Sequence, residues 1–271
     1  MRRCKKSVKK LFSPHFGYYL IMVLFLYAPV AILIMFSFNE GTTLMFPLKG
    51  FTFKWYQELL KAEELIKAVR NSVLVGLGSS FAATVLGTMA ALAVTRFRFQ
   101  GRDFFITVGT LPLVIPYVVM GVALLIIFHW IGVPLSLWTV GCAHAMINIP
   151  YVMLIVSARL AGFESNLEDA SMDLGATYWG TLFRITLPIC APALLAGFLS
   201  SFTTSFDEFA LSFFLTGTQN TLPIYLYSQL RFPSRLPLVL ALAAIIISVS
   251  FVTMLVTEQL RRVGQPVAEK R

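Results

Sequence analysis

The chain has 271 residues, of which 57% are hydrophobic and only 13% charged, and it carries a formal net charge of +9. Soluble domains carry about a quarter charged residues, so an ordinary soluble globule is excluded; the apolar residues gather in uncharged runs of the roughly 20 residues that cross a bilayer. The basic residues sit at the ends of those runs and on no recognisable reading motif, which points to membrane topology and away from nucleic acid.

The chain opens on MRRCKKSVKK and an apolar run from Phe16 to Phe38. That run exceeds a signal-peptide core of about 7 to 15 residues and no small-residue cleavage site follows it, so a retained first span is expected. Further uncharged runs lie at Asn71 to Thr95, Phe104 to Ala158, Ile189 to Phe206 and Leu236 to Thr257. The third is too long for one helix and is divided at Gly132-Val133-Pro134-Leu135-Ser136, where Gly and Pro punctuate it. Asp207-Glu208 interrupts the next run, and apolar residues continue to Leu215. The expectation is an all-α membrane protein with six transmembrane helices.

With the amino end inside, most of the 22 lysines and arginines fall on inner segments: the basic amino terminus, Arg96, Arg98, Arg102, Arg159, Arg184, Arg261, Arg262, Lys270 and Arg271. By the positive-inside rule both termini are expected in the cytoplasm. The predicted organisation is a basic amino terminus (1–15), a six-helix domain (16–258) with a cytoplasmic loop (159–188), and a cytoplasmic tail (259–271). In the first outer loop, Trp55, Leu59, Leu60, Leu65, Ile66 and Val69 can share one side of an amphipathic helix spanning Trp55 to Val69.

The cytoplasmic loop is the most informative stretch. Ser165-Asn166-Leu167-Glu168 fits a capping box, and Gly175 stands where a left-handed cap would end a short helix from Asn166 to Leu174. Leu167, Ala170, Ser171 and Leu174 share a face of that helix, with small residues that leave it open to close approach. Another helical turn can begin after Thr177, and Pro188 is tolerated at the start of the following membrane helix.

Asp169-Ala170-Ser171, Gly175 and Ile185-Thr186-Leu187-Pro188 resemble the Glu-Ala-Ala, Gly, Ile-x-Leu-Pro pattern of permease subunits in bacterial ABC importers, with Asp169 for Glu and Ser171 for Ala. The resemblance extends through Leu26-Tyr27-Ala28-Pro29, Phe36-Ser37-Phe38-Asn39, Phe51-Thr52-Phe53-Lys54-Trp55-Tyr56, Ser205-Phe206-Asp207-Glu208-Phe209 and Thr221-Leu222-Pro223, where the chain is similar to spermidine and putrescine permeases. It implies a type I importer permease fold in the bacterial inner membrane. It also implies that Asp169, Ala170, Ser171, Gly175, Ile185, Leu187 and Pro188 couple to an ATPase. Implied partners are a second homologous permease, two ATPase subunits that bind ATP and Mg²⁺, a periplasmic solute-binding protein, and membrane lipid. The same subgroup resembles permeases for opines and other small charged solutes.

Asp207 and Glu208 lie in an otherwise uncharged span, where an ionisable group costs at least about 2.5 kcal/mol unless it meets water, a partner or a cavity. With Phe206 and Phe209 they are candidate substrate-pathway residues, since carboxylates and aromatic faces both suit ammonium groups. Asp207 matches the acidic position of polyamine permeases and is favoured over Glu208; a pair exposed at the outer interface is the alternative. His129, His144 and Asn148 are expected to be interhelical hydrogen-bond partners. Pro112, Pro116 and Pro150 are expected to kink helices, and Gly76, Gly78 and Gly87 with Ser79, Ser80 and Ala83 to allow close helix packing. Cys4, Cys142 and Cys190 have neither metal-ligand nor disulfide spacing.

No phosphate loop, nucleophile elbow or metal-protease helix is present in the sequence. The chain is therefore expected to be no enzyme, to hold no cofactor of its own, and to draw energy from another polypeptide. A secondary transporter or channel would often carry an inverted internal repeat, and none is evident.

Overall fold

The computed structural model describes residues 14–162 and 166–263. Ser165, the expected N-cap of the loop helix, and the ends of both basic tails lie outside the described residues. The helices are α1 (Pro14–Ser37), α2 (Lys54–Leu59), α3 (Glu63–Arg96), α4 (Arg102–Thr110), α5 (Tyr117–Trp130), α6 (Leu137–Ala161), α7 (Asn166–Asp173), α8 (Tyr178–Thr181), α9 (Leu187–Asp207), α10 (Ala210–Leu215), α11 (Leu222–Gln229) and α12 (Leu236–Val263). Among the described residues the only β pairing is an isolated bridge between Asn39 and Phe51.

Among the described residues, five helical runs are long and apolar enough to cross a membrane: Phe16–Ser37, Glu63–Arg96, Leu137–Ala161, Tyr178–Asp207 and Pro233–Gln259. The remaining predicted span is not straight, because α4 with its 3-10 extension and α5 meet at a bend of 103°. Pro116, the N-cap of α5, lacks an N–H and biases Ile115 away from helical geometry, and Pro112 sits in the preceding 3-10 turn. Counting the bent pair as one span gives six.

The chain divides into two compact units. In the first, residues 14–62 with Gln229–Ile247, α1 leads into a loop tied by Asn39. The Asn39 carbonyl accepts from Trp55 Nε1 at 2.8 Å and its side-chain oxygen from the Lys49 N–H at 3.1 Å. The ring of Phe38 stacks on Phe51 at 4.8 Å, and the Ser37 and Tyr56 hydroxyls share a 2.7 Å hydrogen bond. The expected single amphipathic helix over Trp55 to Val69 is two helices. The N–H groups of Lys61 and Ala62 turn back to the carbonyls of Glu58 and Leu59, ending α2. Glu63 and Glu64 then begin α3, placing carboxylates at its positive end.

The second unit, residues 63–228 with the rest of α12, is built on α3, α6 and α9. One apolar cluster joins Ala83 and Ala91 of α3, Val152, Met153, Val156 and Leu160 of α6, and Cys190 of α9. A second joins Val75, Met120, Val140, Ala143 and Ile147 to Leu211 and Leu215 of α10. In lipid such contact rests on close packing more than on the hydrophobic effect, so small residues matter. Ser79, Ser80, Ala83 and Gly87 are buried as expected; a Cβ on Gly87 would lie 2.8 Å from the Ile149 carbonyl oxygen and from Val152 Cβ. Gly78 differs, because its Cβ position is open.

Gly87→Leu should therefore separate α3 from α6 and cost about 1–3 kcal/mol, seen as a lower thermal midpoint of the detergent-solubilised protein. Gly78→Leu should leave that midpoint close to the parent's.

Candidate functional site

The loop between α6 and α9 folds as two short helices and a widened turn. At the end of α7, Gly175 has φ +90°. The N–H of Ala176 reaches the Ser171 carbonyl and that of Gly175 the Met172 carbonyl, the paired bonds of a left-handed glycine cap. Thr177 then caps α8, its hydroxyl accepting from the Gly180 N–H at 3.2 Å. Residues Leu182–Thr186 form a π turn, in which the Leu187 N–H bonds the carbonyl of Leu182, five residues back. Pro188 follows; it has no N–H for the Arg184 carbonyl and its ring crowds that oxygen, which favours the wider turn.

Asp169 and Ala170 are exposed on α7, while Ser171 is half-buried, its hydroxyl 3.0 Å from that of Thr181. Leu167 and Leu174 stand out at 53% and 90% exposure, a large apolar display on an eight-residue helix. Ile185 and Leu187 are half-buried and Pro188 is exposed. Trp179 and Phe183 stack at 6.3 Å, and both are exposed. On the inner side Glu168 faces Arg96, the last residue of α3, at 2.9 Å. Its other oxygen accepts from the Thr186 hydroxyl at 2.7 Å. Glu168 was expected only to cap its own helix; a contact with Arg96 carries no sequence signal, because the residues are far apart in the chain.

The second candidate region is the break between α9 and α10. Glu208 has ψ 119°, which ends α9 in an extended residue. Its carboxylate accepts from the Leu211 N–H at 2.9 Å and the Ser212 N–H at 3.2 Å, groups at the start of α10 that have no partner within the helix. Glu208 Oε2 lies 3.3 Å from His144 Nε2, and both residues are buried, at 7% and 1% exposure. On the other side of the ring, His144 Nδ1 is 2.6 Å from the Ser205 hydroxyl, which lies 3.0 Å from that of Ser79. The network thus links α3, α6, α9 and α10.

The two adjacent carboxylates are in different surroundings. Asp207 is exposed and accepts from the Ser250 hydroxyl of α12 at 3.0 Å. Phe206 and Phe209 are half-buried; Phe209 lies 5.0 Å from the ring of Tyr227, and Phe206 lies 5.8 Å from that of Phe202. His144 and Asn148 behave as expected of polar residues within spans, Asn148 donating to the His144 carbonyl at 2.9 Å, whereas His129 is exposed. Among the described residues no group of three or more His, Cys, Asp or Glu is placed to hold a metal ion.

Glu208→Ala strands the Leu211 and Ser212 backbone N–H groups and should lower stability by about 1–3 kcal/mol. Asp207→Ala should change it by less than about 0.5 kcal/mol, as for an exposed site. Thermal unfolding of both variants in one detergent checks the contrast.

Residues 83–262 match the family described as binding-protein-dependent transport system inner membrane component. The chain is 34% identical over 247 residues to the spermidine/putrescine transport system permease protein PotC of Escherichia coli (strain K12), covering 91% of this chain and 93% of that one. It is 38% identical over 215 residues to the putrescine transport system permease protein PotI of the same strain, covering 76% of each. Among solved structures, a bacterial ABC transporter involved in the import of the acidic polysaccharide alginate aligns over 96% of this chain and 98% of that one, with a TM-score of 0.73 at 18% identity. The MetNI methionine ABC transporter aligns over 74% of this chain and 96% of that one, with a TM-score of 0.61 at 14% identity. At these identities the structures establish a shared type I importer permease fold.

Proposed function

From the premise that the chain belongs to the binding-protein-dependent transport system inner membrane component family, we propose that it carries a polyamine, spermidine or putrescine, through the membrane by alternating access. It is a multi-pass inner-membrane permease subunit and not an enzyme; ATP hydrolysis belongs to a separate ATPase subunit, and a binding protein delivers the solute. The proposed assembly adds a second homologous permease and two ATPase copies that hold ATP and Mg²⁺. Closure of the ATPase pair moves the loop helices of the two permeases together and opens the cavity between them outward. Asp169, Ala170, Ser171, Gly175, Ile185, Leu187 and Pro188 belong to the proposed coupling element. A capped helix with an exposed apolar face suits that role, because it transmits rigid-body motion where an open linker would absorb it.

The observation that carries the cationic cargo is Asp207: an exposed carboxylate at the break of an otherwise uncharged span, between half-buried Phe206 and Phe209. Ammonium groups are met there by a charge-assisted acceptor and by aromatic faces. Glu208 belongs to this pathway through the backbone it holds, since its own oxygens are engaged by Leu211, Ser212 and His144. Sequence similarity to two polyamine permeases supports the same cargo.

Asp207→Asn removes the charge and keeps the size. In vesicles containing the full complex and its binding protein, putrescine or spermidine uptake per assembled complex should fall about tenfold, the scale of one lost charge-assisted contact. Unchanged uptake, or a parent that accepts only anionic or neutral solutes, would refute the cationic pathway.

The proposed topology has both termini in the cytoplasm, with 1–15 and 259–271 as tails, 16–258 as the membrane domain and 159–188 as its coupling loop. Reporter fusions at the carboxyl terminus and within 163–177 should both give cytoplasmic signals; a periplasmic signal at either overturns this orientation.

A further inference from the structure

We propose that Arg96, Glu168 and Thr186 are positioning residues for energy coupling: one carboxylate clamps the loop helix α7 to the ends of two membrane spans so that all three move as a single piece. The inference rests on the importer reading above and extends it to Arg96 and Glu168, which lie outside the family-like motif, and to Thr186 at the motif's unspecified position. Glu168 immediately precedes the motif's acidic position, Asp169.

Both oxygens of Glu168 are engaged, and by different elements. Oε2 lies 2.9 Å from Arg96 Nε at the end of α3, and Oε1 accepts from the Thr186 hydroxyl, in the last residue of the π turn that leads into α9, at 2.7 Å. The side chains of Arg96 and Glu168 are only 18% and 13% exposed, and Thr186 is 3% exposed. Water and salt therefore screen this pair less than a surface ion pair. A cavity of about 260 Å³ opens beside the pair, walled partly by Leu92, Phe97, Met172 and Leu182.

The clamp matters because of what the covalent route offers in its place. From α7 to α9 the chain passes through a left-handed glycine at Gly175, a four-residue helix and a π turn. The turn at Gly175 is where a displacement of α7 can be absorbed by backbone rotation, because the helical run resumes at Tyr178 and continues to Asp207. Glu168 bypasses that turn. It sits in the first turn of α7, while Leu167, Ala170 and Leu174 present an exposed surface to a partner. A push on that surface passes through Glu168 to α3 by way of Arg96 and to α9 by way of Thr186. Ser171, bonded to Thr181, steadies the same side of the helix one turn further on. Arg159, whose Nε donates to the Ile189 carbonyl at 3.1 Å, ties the end of α6 to the start of α9. The three packed spans thus share one mechanical end.

The test uses the full complex with its ATPase subunits and binding protein in vesicles, reading putrescine or spermidine uptake and ATP hydrolysis in the same sample. Arg96→Glu and Glu168→Arg should each lower the uptake-to-hydrolysis ratio by roughly tenfold, within the usual range of coupling between sites. The double charge swap should restore at least about half of the parent ratio, because the Thr186 hydroxyl can accept from a guanidinium as readily as it donates to a carboxylate. Thr186→Val removes one hydroxyl at constant shape and should lower the ratio about threefold; it remains informative should the charge reversals fail to assemble. A parent-like ratio in the assembled variants, proportional loss of uptake and hydrolysis, or a swap no better than its single components overturns the clamp. A parent that takes up neither polyamine overturns the cargo reading, and the clamp with it; a parent that imports one of them while the variants keep its ratio overturns the clamp alone.

Discussion

A helix that stops among buried neighbours leaves backbone groups that must find partners there, and the break between α9 and α10 is organised around that constraint. Glu208 answers it with one side chain. Its carboxylate takes the two N–H groups at the start of α10, and His144 lies against the same oxygen. Through the histidine ring the network reaches Ser205 and Ser79 and so fixes α6, α9 and α3 to one another. Around it the packing is apolar and close, with Val140, Ala143, Ile147, Leu211 and Leu215 all nearly inaccessible. An apolar residue in place of Glu208 would leave the start of α10 without acceptors, and a continuous helix would have no break to present Asp207.

The extended backbone at Glu208 also explains why neighbouring carboxylates have different surroundings. Successive side chains on an extended segment point in opposite directions, whereas on a helix they would be separated by about 100°. Glu208 turns inward to His144, and Asp207 stays outside with Ser250. Burial of the first charge is offset by acceptor geometry, and the second stays accessible with Ser250 as its hydrogen-bond donor. A fixed carboxylate already accepting backbone N–H groups has little capacity left for a further donor, whereas one held by a single hydroxyl can exchange that contact for another.

Much of this was legible in the sequence where the signal is local. Gly175 as a left-handed cap, Thr177 as the start of a new turn, Pro188 at the head of a span and the division near Gly132 all depend on residues within a few positions of one another, and the structure has each. Apolar run length located five spans directly. It could not foresee that Phe104 to Trp130 bends by 103°, because Pro112 and Pro116 mark a kink without giving its angle. Nor could it separate α2 from α3, since the apolar spacing runs unbroken through the turn at Lys61 and Ala62. Contacts that join distant segments, such as Arg96 with Glu168 or His144 with Glu208, leave no trace in spacing at all.

The two carboxylate networks differ in the motion that each allows. Glu208 and Glu168 each use both oxygens and each joins helices that lie far apart in the chain. Yet Glu208 lies among nearly inaccessible neighbours, while Glu168 sits at a rim beside an open cavity and under an exposed helix face. A network enclosed on every side resists relative motion of the helices that it joins, because any displacement leaves polar groups unpaired in a dry interior. A network at a rim can be carried along with the elements that it clamps, since water can reach its edges as they move. The proposed division of labour follows: the enclosed pair preserves the shape of the broken span, and the rim pair passes the ATPase stroke to the bundle of spans that the enclosed pair holds together.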